Sequence, residues 1–380
     1  MRIMMDAPSL ARPITDEQLS ALHKQVGVKR ARTYAEWELP DARILRSQIR
    51  GWSVMVGDMR PVFVDPDYAS NTPWKTLIAP PGIVVCFEQI DPEVDGIPGS
   101  VAVLDSARVE WDGPIRLGDT VFPESVLAAV REITADAAQG RIIAQQIVTE
   151  VRNGEGERLA RAELNWHCYE RGSAAHRALF GDRKDAHYYS REDIEALGAE
   201  YKAEQARGGE PLYWEEVQEG EELAHVLKGP TTRTKYLGRM SGNWYWGHLQ
   251  GWEQYESHPE LFFENENQAP EPLTAVDWVH HRAQRWGGLP GALEVNTERI
   301  HYLVHLLMNW MGDSGFPHMM DLQFPVQNMV GDVTRSYGRV IGKRRDGGKA
   351  IATLAVWQVN QRGEQITKGT AEVILPTRSA

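Results

Sequence analysis

Two stretches of the chain repeat one alternation of apolar and polar positions. Residues 109–166 and 322–375 each read as strand, Gly-Asp turn, long strand, polar hairpin, long strand, Gly-Glu turn and final strand. The turns fall at Gly118-Asp119 and Gly331-Asp332, then at Gly156-Glu157 and Gly363-Glu364. The alternating positions Ile142, Ala144, Ile147, Thr149 and Val151 in the first copy predict half-buried antiparallel strands, as do Ala350, Ala352, Leu354, Val356 and Gln358 in the second. The first copy carries the longer central hairpin, around Thr134 to Gly140. An internal repeat of this kind is the mark of a duplicated unit.

Ahead of each sheet the period changes to that of a helix. Pro81 to Gln89 (PGIVVCFEQ) predicts an apolar helix in the first half, and Thr297 to Met311 (TERIHYLVHLLMNWM) in the second. In the second, Ile300, Leu303, Val304, Leu307 and Trp310 make one stripe, with Asn296 as the expected N-cap and Arg299 on the other face. A third helix is signalled by Ser190 with Asp193 as a capping box, a stripe of Ile194, Leu197 and Tyr201, and a stop at Arg207-Gly208-Gly209. It reads as a linker, giving an N-terminal helical extension over 1–46, a first domain over 47–171, the linker over 172–210 and a second domain over 211–380. Residues 249–277, rich in Trp, Glu, Pro and Asn, read as an insertion in the second domain and a candidate lid or pocket wall.

Composition narrows the function. A chain of 380 residues, 42% hydrophobic, buries one large core or two ordinary ones. The net charge of −12, from 53 acidic and 41 basic residues, opposes a nucleic-acid or anionic membrane partner. Cys86 and Cys168 are the two cysteines and have no metal-site spacing; with no apolar h-region and no membrane-length apolar run, a cytoplasmic protein is expected. No GxGxxG, P-loop or G-x-S-x-G stands in a strand-to-helix context, and no metal or cofactor is expected.

The residues from Thr234 to His248, TKYLGRMSGNWYWGH, carry a resemblance. They resemble the hydratase motif of the MaoC-like, (R)-specific enoyl-CoA hydratase family, a tyrosine followed by S-G-D-x-N-P-x-H. Ser241, Gly242 and His248 fall on it, with Tyr236 upstream; Asn243, Tyr245 and Trp246 replace the family's aspartate, asparagine and proline. Gly51 to Ala69, GWSVMVGDMRPVFVDPDYA, is similar to the same motif in the first half, keeping Gly57-Asp58 but placing Phe63 at the histidine. IAPPG at Ile78 to Gly82 and the segment Tyr189 to Leu223 are similar to further parts of the family.

The resemblance implies an α+β fold of two tandem hot-dog domains, each a curved antiparallel sheet wrapped around an apolar helix. It implies water addition to an enoyl thioester, coenzyme A being the expected carrier, and an oligomer of such fused pairs. Carried over, His248 is the acid–base histidine, Asn243 stands at the carboxylate position, and Val295-Asn296 stands at the backbone donor for the enolate oxygen, where the family has His-Gly. An amide cannot take a proton from water as a carboxylate does. Tyr236, Ser241, Gly242, Trp244 and Trp246 are the expected substrate contacts. Asp58, without its histidine, reads as a turn residue capping backbone N–H groups.

A rival pair is Asp277 with His280 or His281, which helical spacing puts on one face; the plain reading of that face is a solvated one, and that of His248 an aromatic-loop histidine. The 13 tryptophans cluster in part around this region, at Trp244, Trp246, Trp252, Trp278 and Trp286, as core residues or as the wall of a pocket for a bulky acyl group. Two other functions fit the altered motif: a lyase or water addition on an unusual unsaturated substrate, and a non-catalytic acyl-CoA-binding subunit of a heteromeric hydratase.

Overall fold

A computed structural model describes residues 13–30, 43–181, 183, 187–232, 255–256, 259, 262–265, 269–272, 279–284 and 289–378. Twelve strands are found among them. They are β1 (Lys29–Arg30), β2 (Val101–Trp111), β3 (Val121–Glu132), β4 (Ile142–Asn153), β5 (Arg158–Tyr169), β6 (Val226–Lys228), β7 (Phe262–Glu264), β8 (Pro270–Pro272), β9 (Phe316–Gln323), β10 (Thr334–Asp346), β11 (Lys349–Asn360) and β12 (Gln365–Ile374). Ten of them form one sheet in the order β1-β3-β4-β5-β2-β9-β12-β11-β10-β6, while β7 and β8 pair as a separate hairpin.

The duplication is visible in that order. β3-β4-β5-β2 in the first half mirrors β10-β11-β12-β9 in the second, and the two join where β2 pairs antiparallel with β9, Ser106 opposite Gln323 and Val109 opposite Met320. The repeat extends to turn chemistry. Asp119 Oδ2 accepts the Arg116 N–H at 2.7 Å and Asp332 Oδ2 accepts the Met329 N–H at 2.9 Å, each across a glycine at positive φ, Gly118 and Gly331. The β4–β5 and β11–β12 hairpins are likewise tied by Asn153 and Asn360, whose Oδ1 atoms accept the N–H of Glu157 and Glu364.

Within each half the sheet closes on a helix. Glu298–Met311 is buried at every residue, and Leu303 and Leu307 are wholly inaccessible, as the apolar stripe requires. Its N-cap is Thr297 rather than Asn296, and Asn296 Oδ1 instead accepts from Arg299 Nη2 at 2.8 Å. The first half differs from the expected α-helix over Pro81 to Gln89. A 3₁₀ helix covers Pro81–Cys86 only, and by Gln89 the backbone N–H has turned to Ser125 Oγ at 2.8 Å. Pro80 at the N-cap and Pro81 at the first helical position fix where the element starts, their missing N–H groups being ones a helix leaves unpaired there.

Three further expectations are corrected. The core face of β4 is formed by Ile143, Gln145, Ile147, Thr149 and Val151, so Ile142 and Ala144 lie on the opposite face. Buried Gln145, whose Nε2 donates to the Pro92 carbonyl at 3.1 Å, hides this parity from a count of apolar residues. The linker helix Arg191–Lys202 has its Ser190/Asp193 capping box but buries only Leu197 of its stripe; Ile194 and Tyr201 are exposed. It ends at Lys202, and Arg207 instead packs under the C-terminal end of the central helix, donating its N–H to the Asn309 carbonyl and its Nε to that of Trp310, both at 2.9 Å.

Candidate site on the central helix

The face of the central helix opposite its apolar stripe is polar and equally buried. Glu298, His301, His305 and Asn309 succeed one another at three- and four-residue steps, which places them in one row. All four are 5% exposed or less. The row faces the first half of the chain, because three of its members, His301, His305 and Asn309, touch elements from there.

His301 packs against the 3₁₀ helix Pro81–Cys86. A methyl group built on Gly82 would stand 2.1 Å from His301 Nδ1, so only glycine lets the imidazole lie this close to the 3₁₀ backbone. Cys86 Sγ lies 3.9 Å from His301 Nε2, and the Trp52 ring meets the imidazole edge-on at 5.3 Å between centroids. The ring is thereby fixed from three sides.

One turn further on, His305 enters a cluster of charges. Its Nε2 lies 3.0 Å from Glu204 Oε1 and 3.9 Å from Asp58 Oδ1. Arg60 Nε donates to both Asp58 oxygens at 2.9 and 3.0 Å, and Arg60 Nη2 donates to Asn309 Oδ1 at 3.0 Å. The Lys228 ammonium donates to the carbonyls of Val56 and Gly57, at the C-terminal end of helix Arg46–Val56. Asp313 accepts from the Tyr68 hydroxyl at 2.6 Å and lies 3.9 Å from Arg60.

Burial alone would raise the Asp58 carboxyl, but Arg60 and Lys228 outweigh it and hold the group below the ordinary carboxylate range. Glu204 is held down in the same way against its burial, chiefly by the hydrogen bond from His305. Burial depresses His305, and Lys228 and Arg60 add to that against the pull of the two carboxylates. The imidazole is therefore neutral at pH 7, and its contact with Glu204 is an N–H donated to a carboxylate. Burial and the Asp313 carboxylate push the Tyr68 hydroxyl up to about 12. Asp58 is thus an ion-pair partner of Arg60 more than a cap, its one contact to a backbone N–H, that of Arg60, being 3.4 Å long.

Of the residues singled out in the sequence, Tyr236, Ser241, Gly242, Asn243, Trp244, Trp246, His248 and Asp277 lie outside the described residues. Val295 and Asn296 stand at the entrance to the central helix, where their carbonyls accept the N–H groups of Glu298 and Arg299 at 3.0 and 3.2 Å. His281 is exposed on a single turn, His280–Arg282, preceded by Val279 in an extended conformation at φ −123° and ψ 114°. The described helical turn therefore begins at His280, and whether Asp277 shares a face with it lies outside the described residues. His280 turns inward instead and accepts the Ala292 N–H on Nδ1 at 3.1 Å.

Sequence reasoning passed over Glu298, His301 and His305, although their helical spacing was legible. Among the described residues no group of three or more His, Cys, Asp or Glu is placed to hold a metal ion, and no helix is long and apolar enough to cross a membrane.

Residues 35–162 match the family model described as FAS1-like, dehydratase domain region. Among solved structures, one described as a MaoC-like dehydratase superposes with a TM-score of 0.63 at 13% identity, covering 94% of this chain and 99% of that one. A putative MaoC domain protein dehydratase from Chloroflexus aurantiacus gives 0.53 at 10% identity, covering 89% and 93%. A conserved hypothetical protein from Mycobacterium tuberculosis with a double hot-dog fold gives 0.55 at 11%, covering 92% and 96%. Among curated proteins none matches the sequence significantly.

The fold is a double hot dog, two sheets fused edge to edge with a helix in each. With a dehydratase-region match over residues 35–162, the chain shares the fold of structures described as MaoC-like dehydratases.

Proposed function

We propose that the chain is a hydro-lyase that adds water reversibly to a trans-2-enoyl thioester, with coenzyme A as carrier. The observation that carries this reading is the match of residues 35–162 to a dehydratase region. The central helix supports it. Its N-terminal end, at Val295-Asn296, offers backbone N–H groups and a dipole to the enolate oxygen, where negative charge grows in the transition state. In this scheme His248 delivers the proton to the α-carbon, and Asn243 orients the water without being able to deprotonate it. Tyr236, Ser241 and Gly242 shape the mouth of the site, and Trp244 and Trp246 form its wall.

The test is an assay of the full chain with crotonyl-CoA and cinnamoyl-CoA. His248→Ala should lower kcat by about 10²–10⁴, the usual share of a positioned acid–base group, with a smaller change in KM. Retention of full activity in His248→Ala would remove that residue from the reaction. If the tryptophans wall the pocket, cinnamoyl-CoA should be preferred in kcat/KM by about two- to twelvefold, from roughly 0.5–1.5 kcal/mol of ring stacking; equal values would make them core residues. Absence of turnover with any thioester would favour an acyl-CoA-binding subunit, the reading that Asn243 in place of a carboxylate also fits. Cytoplasmic residence and a homo-oligomer of the fused pair belong to the same proposal.

A further inference from the structure

We propose that Cys86 and His301 form a reactive thiol–imidazole pair, a site of covalent modification by soft electrophiles of the α,β-unsaturated carbonyl class. The fold builds the pair: the two residues stand 215 apart in the chain, and Cys86 Sγ lies 3.9 Å from His301 Nε2, within hydrogen-bond reach for sulfur. The same short helix meets both ring nitrogens, because Gly82, with no side chain, lies against Nδ1 and Cys86 faces Nε2. With its proton on Nδ1, the imidazole accepts the S–H on Nε2 and is the base that makes the thiolate, the nucleophilic form. Trp52 holds the ring edge-on at 5.3 Å between centroids, and its buried Nε1–H has no acceptor among the described residues. A donor of that kind beside the pair suits a carbonyl oxygen on which negative charge grows.

The second cysteine supplies the contrast. Cys86 is partly exposed, whereas Cys168 is inaccessible; Gln145 Nε2 donates to its sulfur at 2.9 Å, and burial pushes its thiol up. A base and access to reagents thus coincide at one thiol of the two. In the addition His301 takes the proton of Cys86 as the sulfur bonds to the β-carbon and the π pair moves through the α-carbon to the carbonyl oxygen. The imidazolium then returns that proton to the α-carbon. Every atom of both reactants is kept in the thioether, so neither an oxidant nor a leaving group is involved. This chemistry is separate from the water addition proposed above, and it is read by mass rather than by turnover.

The experiment treats the full chain with N-ethylmaleimide, a conjugated carbonyl electrophile, and follows it by intact mass and peptide mapping. The folded protein should take one adduct, at Cys86, and a second, at Cys168, only after unfolding. No adduct on the folded chain, or Cys168 labelled first, overturns the proposal. The rate of addition should rise with pH about a midpoint well below the ordinary thiol value of about 8.5, and a midpoint at or above that value overturns the pairing. His301→Gln should slow the addition about tenfold at pH 7 and return the midpoint to the ordinary value, since one pKa unit is about a factor of ten in thiolate. An unchanged rate in a folded His301→Gln variant overturns the role of His301. Should that variant fail to fold, the pH profile of the unmodified chain decides alone. Trp52→Phe keeps an aromatic ring and removes the donor, so it should slow the addition about threefold without moving the midpoint. Equal rates would overturn the preference for a carbonyl electrophile.

Discussion

The two ends of the buried polar row on the central helix use the same residue types for different ends. Around His305 and Asn309 every cation meets an anion or a carbonyl: Arg60 meets Asp58, Asn309 and Asp313, Lys228 meets the end of helix Arg46–Val56, and Glu204 meets His305. His301 packs against a glycine, a thiol and an indole edge. A closed set of opposite charges holds two halves in register and leaves no group poised for proton transfer. Around His301 these contacts are ones of shape, a close backbone and an aromatic edge, rather than of paired charge. The aspartate that the first half keeps from the motif, Asp58, has gone to the first use.

Breaking the closed end should have the largest effect on stability. Asp58→Asn leaves Arg60 buried beside a neutral amide, and loss of one partner from a buried ion pair costs about 3–5 kcal/mol. Denaturant unfolding should show a lower midpoint with an unchanged slope. A change below 1 kcal/mol would mean that Asn309 and Asp313 suffice for Arg60 and that the comparison is drawn too sharply.

At the other end the contact is steric. Gly82→Ala would set a methyl 2.1 Å from His301 Nδ1, and that ring is itself held by Trp52 and Cys86, so relief requires backbone movement. Overpacking of this kind costs typically 1–3 kcal/mol. The expected result is a lowered thermal midpoint together with an altered His301 titration. Full tolerance would show that the two halves can part here at little cost.

Much of the fold was legible because turn chemistry repeats in sequence. Gly-Asp at 118 and 331 and Asn-x-x-Gly-Glu at 153 and 360 predict the same local hydrogen bonds, and the structure contains them. The parity at the start of β4 was misread because Gln145 is polar yet buried, and burial of an amide depends on a partner, here the Pro92 carbonyl, that alternation does not reveal. The polar row was overlooked for a related reason. Periodicity assigns one apolar face to a helix and leaves the other to solvent, so a second half packing on that other face is invisible to it. Asp58 and His305 meet only through the fold.

The smallest effect separates the ends by pH. His305 lies below its ordinary value of 6.5 in the folded protein, so between that value and its folded one the unfolded chain binds more protons, and stability falls as pH drops below about 6.5. Asp58 and Glu204 also lie below their ordinary values of 3.8 and 4.5, so their contribution is present above those values and is lost as pH falls through the folded ones. Both act in the same direction, in successive windows. His305→Gln should therefore flatten the thermal midpoint in the window just below pH 6.5 and leave the fall at lower pH, from the carboxylates, intact. A profile unchanged from the parent in the upper window would place that loss of stability on another histidine, and the neutral imidazole between Glu204 and Asp58 would then have to be abandoned.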